Sequence, residues 1–178
     1  MQGARQGSSQ SSSQGQPADS GTSPVALDDL DRRIIAELMV QGRLPNNLLA
    51  ERVGVAASTA LLRTRRLEEA GVITGYRAGV DPTALGFDLQ ALISVRVRPG
   101  ARADLPTLFD HLRQQPGVQS VAFVSGDFDF VLHIYAANTS ALREFVTGVL
   151  SSDPRVESTH TALIFQHAQG VQPFPSTA

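Results

Sequence analysis

Cysteine and lysine are both missing from this chain of 178 residues. Without cysteine there is no disulfide, no thiolate metal site and no thiol nucleophile. No apolar run approaches the roughly 20 residues of a membrane span, which fits a soluble cytoplasmic protein. Phosphate-cradling glycine loops and nucleophile-elbow patterns are absent too. The histidines are His111, His133, His160 and His167, and no two fall at i, i+3 or i+4 on a helix, so neither a metal site nor a cofactor is expected. Enzymatic action is therefore not expected. All 15 basic residues are arginine, including Arg5, Arg102 and Arg155 where no recognition is suspected. Genome base composition accounts for this better than selection for bidentate contacts.

The net charge of −2 divides unevenly. Residues 28–80 hold eight arginines against seven acids, and residues 81–170 hold six against nine. In the first stretch the acids gather at 28–31, while arginines gather at 63–66. Screening confines each charge to about 8–10 Å, so this local asymmetry matters more than the total.

What is present is most telling between Arg43 and Gly75. Leu30, Ile34, Ile35 and Leu38 recur at three- and four-residue steps, predicting a helix over 28–41, with Asp28, Asp29 and Asp31 at its positive end and Gly42 after it. A second helix, 46–53, opens at Asn46 or Asn47 as a side-chain cap and ends at Gly54, whose freedom at positive φ permits a left-handed turn. A third helix, 58–70, turns Ala60, Thr64 and Leu67 inward. Its other side carries Ser58, Thr59, Leu62, Arg65 and Arg66, with Arg63 at the edge. This is a helix-turn-helix, which offers one helix to the DNA major groove. An arginine fork on guanine is worth about 1–3 kcal/mol of discrimination, whereas arginine contacts to phosphate set register. The bland alternative is a solvated face on which Arg65 meets Glu68 or Glu69.

Downstream, Val72 to Val80 reads as a strand, stopped by Asp81-Pro82 before one turn at Thr83 to Leu85. Ala91, Ile93, Val95 and Val97 form the apolar face of the next strand. Leu105, Leu108, Phe109 and Leu112 make a helical stripe. Pro116-Gly117 precedes a strand at 118–124, and the tight turn Ser125-Gly126-Asp127 leads into another on which Phe128, Phe130, Leu132 and Ile134 share a face. Leu142, Phe145, Val146 and Val149 make a second helix, and 156–166 a last strand. The fold class is thus α+β: a helix-turn-helix domain linked by a strand to a ferredoxin-like βαββαβ domain. Two helices cover one face of such a sheet, which leaves Leu92, Val131, Tyr135, Leu163 or Phe165 for another partner, most simply a second copy. A two-fold dimer sets recognition helices roughly 34 Å apart, one duplex turn or a multiple of it.

The boundaries follow. Residues 1–24, rich in Ser, Gln and Gly, form an expected disordered tail, dispensable or the product of an over-early start codon. Residues 25–71 make the DNA-binding domain, 72–86 the strand and linker, 87–169 the second domain and 170–178 a frayed end.

LDDLDRRIIAEL at 27–38, GR at 42–43, LAERVGV at 49–55, RTRRLEEAGVITGYRAGVDPTALG at 63–86 and SGDFDF at 125–130 together resemble the Lrp/AsnC (feast/famine) family of prokaryotic transcription regulators. The likeness covers nearly everything after residue 25. Two departures stand out. The family opens its recognition helix with a Ser-Pro-Ser-like run where this chain has Ala56, Ala57 and Ser58, and it prefers Val or Ile at the place of Thr64. An alanine cap gives up about 1 kcal/mol unless Ser58 takes over the capping.

The resemblance implies a regulator of double-stranded DNA, a homodimer formed in part through the strand at 72–80, further assembly into octamers, and an amino-acid effector bound between subunits. The effector residues it points to are Ser125, Gly126, Asp127, Phe128 and Asp129, with Thr159 and Thr161 as a polar wall. Gly126 would let backbone N–H groups reach a ligand carboxylate, while Asp127 or Asp129 would pair with an ammonium group. Two other readings stay open: an architectural DNA-compacting protein, and a ligand-binding module whose first domain has lost DNA binding.

Overall fold

The computed structural model describes residues 25–168, so the expected tails at 1–24 and 170–178 lie outside the described residues. The chain divides into two units between Tyr76 and Arg77.

The first unit is three helices, α1 (Asp29–Val40), α2 (Asn46–Val53) and α3 (Ala57–Glu69). Ile34, Leu44, Leu49, Val53 and Leu67 form its buried core, and Leu30, Ile35 and Leu38 pack around them as the apolar stripe predicts. The start of α1 is a reciprocal cap: the Asp31 N–H donates to Asp28 Oδ1 at 2.8 Å and the Asp28 N–H donates to Asp31 Oδ2 at 3.2 Å. Gly54 closes α2 in the left-handed region at φ 71°, and the Val55 N–H donates back to the Ala50 carbonyl at 3.0 Å.

Two expected caps are not used. Pro45, not Asn46 or Asn47, sits at the start of α2, and the Asn46 Nδ2 instead donates to the Ala57 carbonyl at 2.8 Å, tying the start of α2 to the start of α3. Ala56 occupies the cap position of α3, and Ser58 makes no capping bond. The helix forms all the same, because Ala60 and Leu67 on its inner side are buried and packing outweighs a cap worth about 1 kcal/mol. Thr64 shares that inner side, its Oγ1 buried and without a hydrogen-bond partner among the described residues. Thr64→Val keeps the shape and removes the orphan hydroxyl, so it is expected to stabilise this unit by about 1 kcal/mol. A thermal melt of the two proteins checks this; an unchanged or lower midpoint would mean that the hydroxyl is satisfied.

The strand expected over Val72–Val80 does not form in the single chain. Val72 and Ile73 instead end α3: their N–H groups both donate to the Leu67 carbonyl, at 2.9 and 3.1 Å, and their side chains join the helical core. Residues 74–80 are exposed and pair with no other strand among the described residues. β-Branched composition favours extended backbone, but a strand also needs a neighbouring ladder, which the described residues do not supply here. Tyr76 folds back, donating its hydroxyl to Glu68 Oε1 at 2.8 Å. Burial, together with that carboxylate, pushes the phenol up to about 12.

The second unit opens with the expected turn at Thr83–Leu85 and continues through β1 (Leu89–Val97), α4 (Leu105–Arg113), β2 (Val118–Phe123), β3 (Phe130–Ala136), α5 (Thr139–Phe145) and β4 (Val156–Ile164). A π-helical turn at Val146–Leu150 extends α5. The sheet is antiparallel in the order β2-β3-β1-β4, so β3 lies between β1 and β2 and β1 separates β3 from β4, as a split βαβ arrangement requires. Ala91, Ile93, Val95, Val97, Phe130, Leu132 and Ile134 form the inner face, against Leu108, Leu112, Leu142 and Leu150. Gly117 has a conformational reason to be glycine: φ is 82°, and a Cβ there would lie 2.6 Å from the Tyr135 carbonyl oxygen. That close approach lets the Tyr135 N–H donate to the Gly117 carbonyl at 2.8 Å.

The register corrects the expected open face. Leu92 is exposed there and Val131 and Tyr135 are half-buried. Leu163 pairs with Ala91 and therefore points to the helix-covered side, at the edge of the sheet. Phe165 lies beyond the end of β4 and is 98% exposed. Phe128 does not share a face with Phe130, because β3 begins at Phe130 and the loop before it breaks strand parity. No helix among the described residues is long and apolar enough to cross a membrane.

Candidate nucleic-acid interface and effector site

The face of α3 turned away from the core carries Ser58, Leu62, Arg65 and Arg66, all exposed, with Thr59 half-buried beside them. Leu62 is 69% exposed, more than a leucine with an intramolecular role would be. Arg65 makes no ion pair or side-chain hydrogen bond among the described residues, so the expected alternative pairing with Glu68 or Glu69 is not formed. Arg66 is half-exposed and reaches the Asp31 carboxylate only at 3.6 Å and the Ala26 carbonyl at 3.4 Å, both long contacts.

Arg63 belongs elsewhere. Its Nη1 donates to Asp28 Oδ2 at 2.6 Å and to Asp31 Oδ1 at 3.1 Å, so it closes the acidic start of α1 and turns from the outward face. The Asp31 N–H first, and then the Arg63 guanidinium, hold the Asp28 carboxyl below the usual carboxylate range. The same carboxylates, Asp28 foremost, raise Arg63. Both carboxylates are engaged through the one nitrogen, and this pairing braces α3 against the start of α1. Sequence spacing placed it at the helix edge but carried no sign of a partner 35 residues away.

In the second unit the loop between β2 and β3 holds Ser125, Gly126 and Asp127, all exposed, and Gly126 adopts φ 121° with open space around its Cα. Asp129 is a structural residue. Its carboxylate accepts from the Val97 N–H at 2.8 Å and faces Arg102 at 3.7 Å, while its own N–H donates to the Val95 carbonyl. Of the two aspartates considered for an ammonium group, Asp127 is exposed and Asp129 is engaged within the unit. Thr159 and Thr161 pair with Val95 and Ile93 and so lie on the helix-covered face. Phe128 instead lies over the open face, near the Arg96 guanidinium and the His160 ring. The structure thus brings Ser125, Gly126, Asp127 and Phe128 together and leaves the two threonines apart.

Arg96 is the neighbour that sequence reasoning missed; alternation along β1 marks it as outward-facing but cannot show Phe128 beneath it. His133, on the same open face, places its Nε2 3.1 Å from Gln90 Oε1, an oxygen that accepts when that nitrogen carries the proton, and its ring centroid lies 5.3 Å from that of His167. Burial, and then His167, hold His133 below its ordinary value. No cluster of three or more metal-ligating side chains occurs among the described residues. A cavity of about 440 Å³ lies along α4 and the turn after α5, lined by His111, Gln115, Ser152, Asp153 and Arg155 among others, and it includes none of the expected effector residues.

Comparison with known proteins agrees with this division. Residues 27–74 match a family described as winged helix-turn-helix DNA-binding, and residues 90–169 match the Lrp/AsnC ligand binding domain. The chain is 46% identical over 147 residues to the HTH-type transcriptional regulator AldR of Mycolicibacterium smegmatis, covering 83% of this chain and 86% of that protein. It is 39% identical to the leucine-responsive regulatory protein of Rhizobium meliloti, over 82% of this chain and 93% of the other. Among solved structures, a transcriptional regulator of Neisseria meningitidis in complex with L-methionine superposes with a TM-score of 0.76 at 30% identity, covering 84% of this chain and 97% of that one.

Proposed function

The chain belongs to the Lrp/AsnC family of transcription regulators, and from that premise we propose that α3 reads a DNA major groove through Arg65 and Arg66 and that an amino acid held near the loop at 125–128 modulates the binding. The observation that carries the first part is the division of α3 into a buried side, Ala60 and Leu67, and an exposed side bearing Arg65 without an internal partner. A half-turn of hydroxyls, Ser58 and Thr59, leads that side and suits phosphates or base edges. Arg63 supports the helix from behind.

The open sheet face with Leu92, Val131 and Tyr135 fits a second copy of the chain, and the unpaired segment 74–80 offers a further pairing edge. Such a dimer presents two copies of α3 to a pseudo-palindromic site. Larger assemblies of that dimer suit the same surfaces, and its DNA partner puts its work in the cytoplasm. The effector reading draws on the methionine complex of the Neisseria protein and on the exposure of Ser125, Gly126 and Asp127 here. Catalytic chemistry has no part in this reading.

A mobility-shift titration on the upstream region of its own gene tests the proposal. Arg65→Ala is expected to weaken specific binding about tenfold or more, in line with about 1–3 kcal/mol for one arginine contact, while the oligomer stays intact. Equal affinity of Arg65→Ala and wild type would remove α3 as the reading helix. Equal affinity of the wild type for that fragment and for random DNA would favour the compacting role instead.

A further inference from the structure

The arginines at 81–170 mostly have partners. Arg102 faces Asp129 at 3.7 Å, Arg113 meets Asp110 at 2.7 Å, Arg155 meets Asp153 at 2.6 Å, and Arg98 donates to the Pro154 carbonyl at 3.1 Å. Arg143 is exposed on α5 and Arg96 is half-buried on the open sheet face. Among the described residues Arg96 makes neither an ion pair nor a side-chain hydrogen bond. Its guanidinium carbon lies 5.6 Å from the centre of the Phe128 ring.

A half-buried cation without a counter-charge is unfavourable unless something completes it. Stacking on Phe128 supplies part of the compensation and holds the guanidinium near a ring face, which leaves N–H groups at its edge for a planar, two-oxygen acceptor. The surroundings suit an anion. The antiparallel register sets Ser158 opposite Arg96 and His160 opposite Ser94 on the same face, and the His160 ring centroid lies 6.5 Å from that of Phe128. Of the two acids that flank Phe128 in the loop, Asp127 is exposed and Asp129 is turned to the Val97 N–H and Arg102.

We infer that Arg96, backed by Phe128, receives the carboxylate of the effector, with Ser94, Ser158 and His160 as the polar surround. This rests on the effector role proposed above. The loop itself then supplies the remaining contacts, Asp127 being placed in it to meet an ammonium group.

Calorimetric titration of the full-length protein tests this with L-methionine, L-leucine and L-alanine, and with L-methioninamide, which keeps the ammonium group but lacks the carboxylate. The wild type is expected to bind at least one of the amino acids, and the amide about tenfold more weakly than methionine if methionine is bound. Arg96→Gln should lose about tenfold for the acid and little for the amide, so that the two become alike; Arg96→Lys, which keeps the charge without the fork, should fall between. Circular dichroism melts establish that each variant is folded. If Arg96→Gln binds the acid as tightly as the wild type does and still discriminates against the amide, the carboxylate is held by the backbone at Gly126 instead, and Arg96 is excluded while the effector role stands. If the wild type binds none of the amino acids, both fail.

Discussion

Asp31→Ala is expected to lower the stability of the first unit by about 3 kcal/mol, enough to abolish DNA binding at moderate temperature. Asp31 is fully buried, at 0% exposure. Its carboxylate accepts the Asp28 N–H at 3.2 Å and the Arg63 Nη1 at 3.1 Å, and it lies 3.6 Å from Arg66. Truncation leaves an uncapped N–H at the start of α1 and takes from Arg63 one of its two carboxylates. The loss is therefore felt at both ends of the contact between α1 and α3. Thermal melts of the variant should show it directly, and a fall of under 1 kcal/mol would mean that the capping box and the Arg63 brace are ornamental. The same cluster sets an acid limit. The Asp28 carboxyl is held low in the folded chain, so its contribution is complete above its ordinary value of 3.8 and is lost as pH falls through the lower folded value. Melts of the wild type should accordingly be flat from neutral pH down to about 4 on this account and drop below it.

Phe130→Ala is expected to cost the second unit about 3–5 kcal/mol. Phe130 is fully buried on β3 and packs between Phe109 of α4, with ring centroids 6.2 Å apart, and Phe123 of β2, at 5.5 Å. The sheet and α4 both border the space it fills, so neither can close a void without moving strands held in register. Urea titration followed by circular dichroism measures the loss. Phe123→Ala is the control, since Phe123 is 61% exposed and removal of its ring should cost well under half as much, about 1 kcal/mol. Equal losses in the two variants would refute the placement of the core on the helix side of β3.

Much of the candidate site was legible before any coordinates. The outward set on α3 follows from a period of 3.6, and Ala60 and Leu67 are buried as that period requires. The alternation of Ala91, Ile93, Val95 and Val97 identified β1 and its inner face because side chains on a strand repeat every two residues. Gly126 and Asp127 fall in a loop because a turn joins two antiparallel strands there. Where the pattern was interrupted the reading failed: Phe128 and Asp129 precede β3, so strand parity did not apply, and one went to the open face while the other became a brace for Val97.

The order of the elements, the two apolar cores and the exposed side of α3 were thus decided by local periodicity, which every residue carries with it in the chain. Which arginines are occupied was decided only by the fold. Arg63 and Arg65 differ because the start of α1 delivers two carboxylates to one and none to the other, and Val72–Val80 forms no strand because no partner strand lies beside it among the described residues. Ion pairs and strand pairs join residues far apart in sequence. Spacing along the backbone therefore holds no record of them.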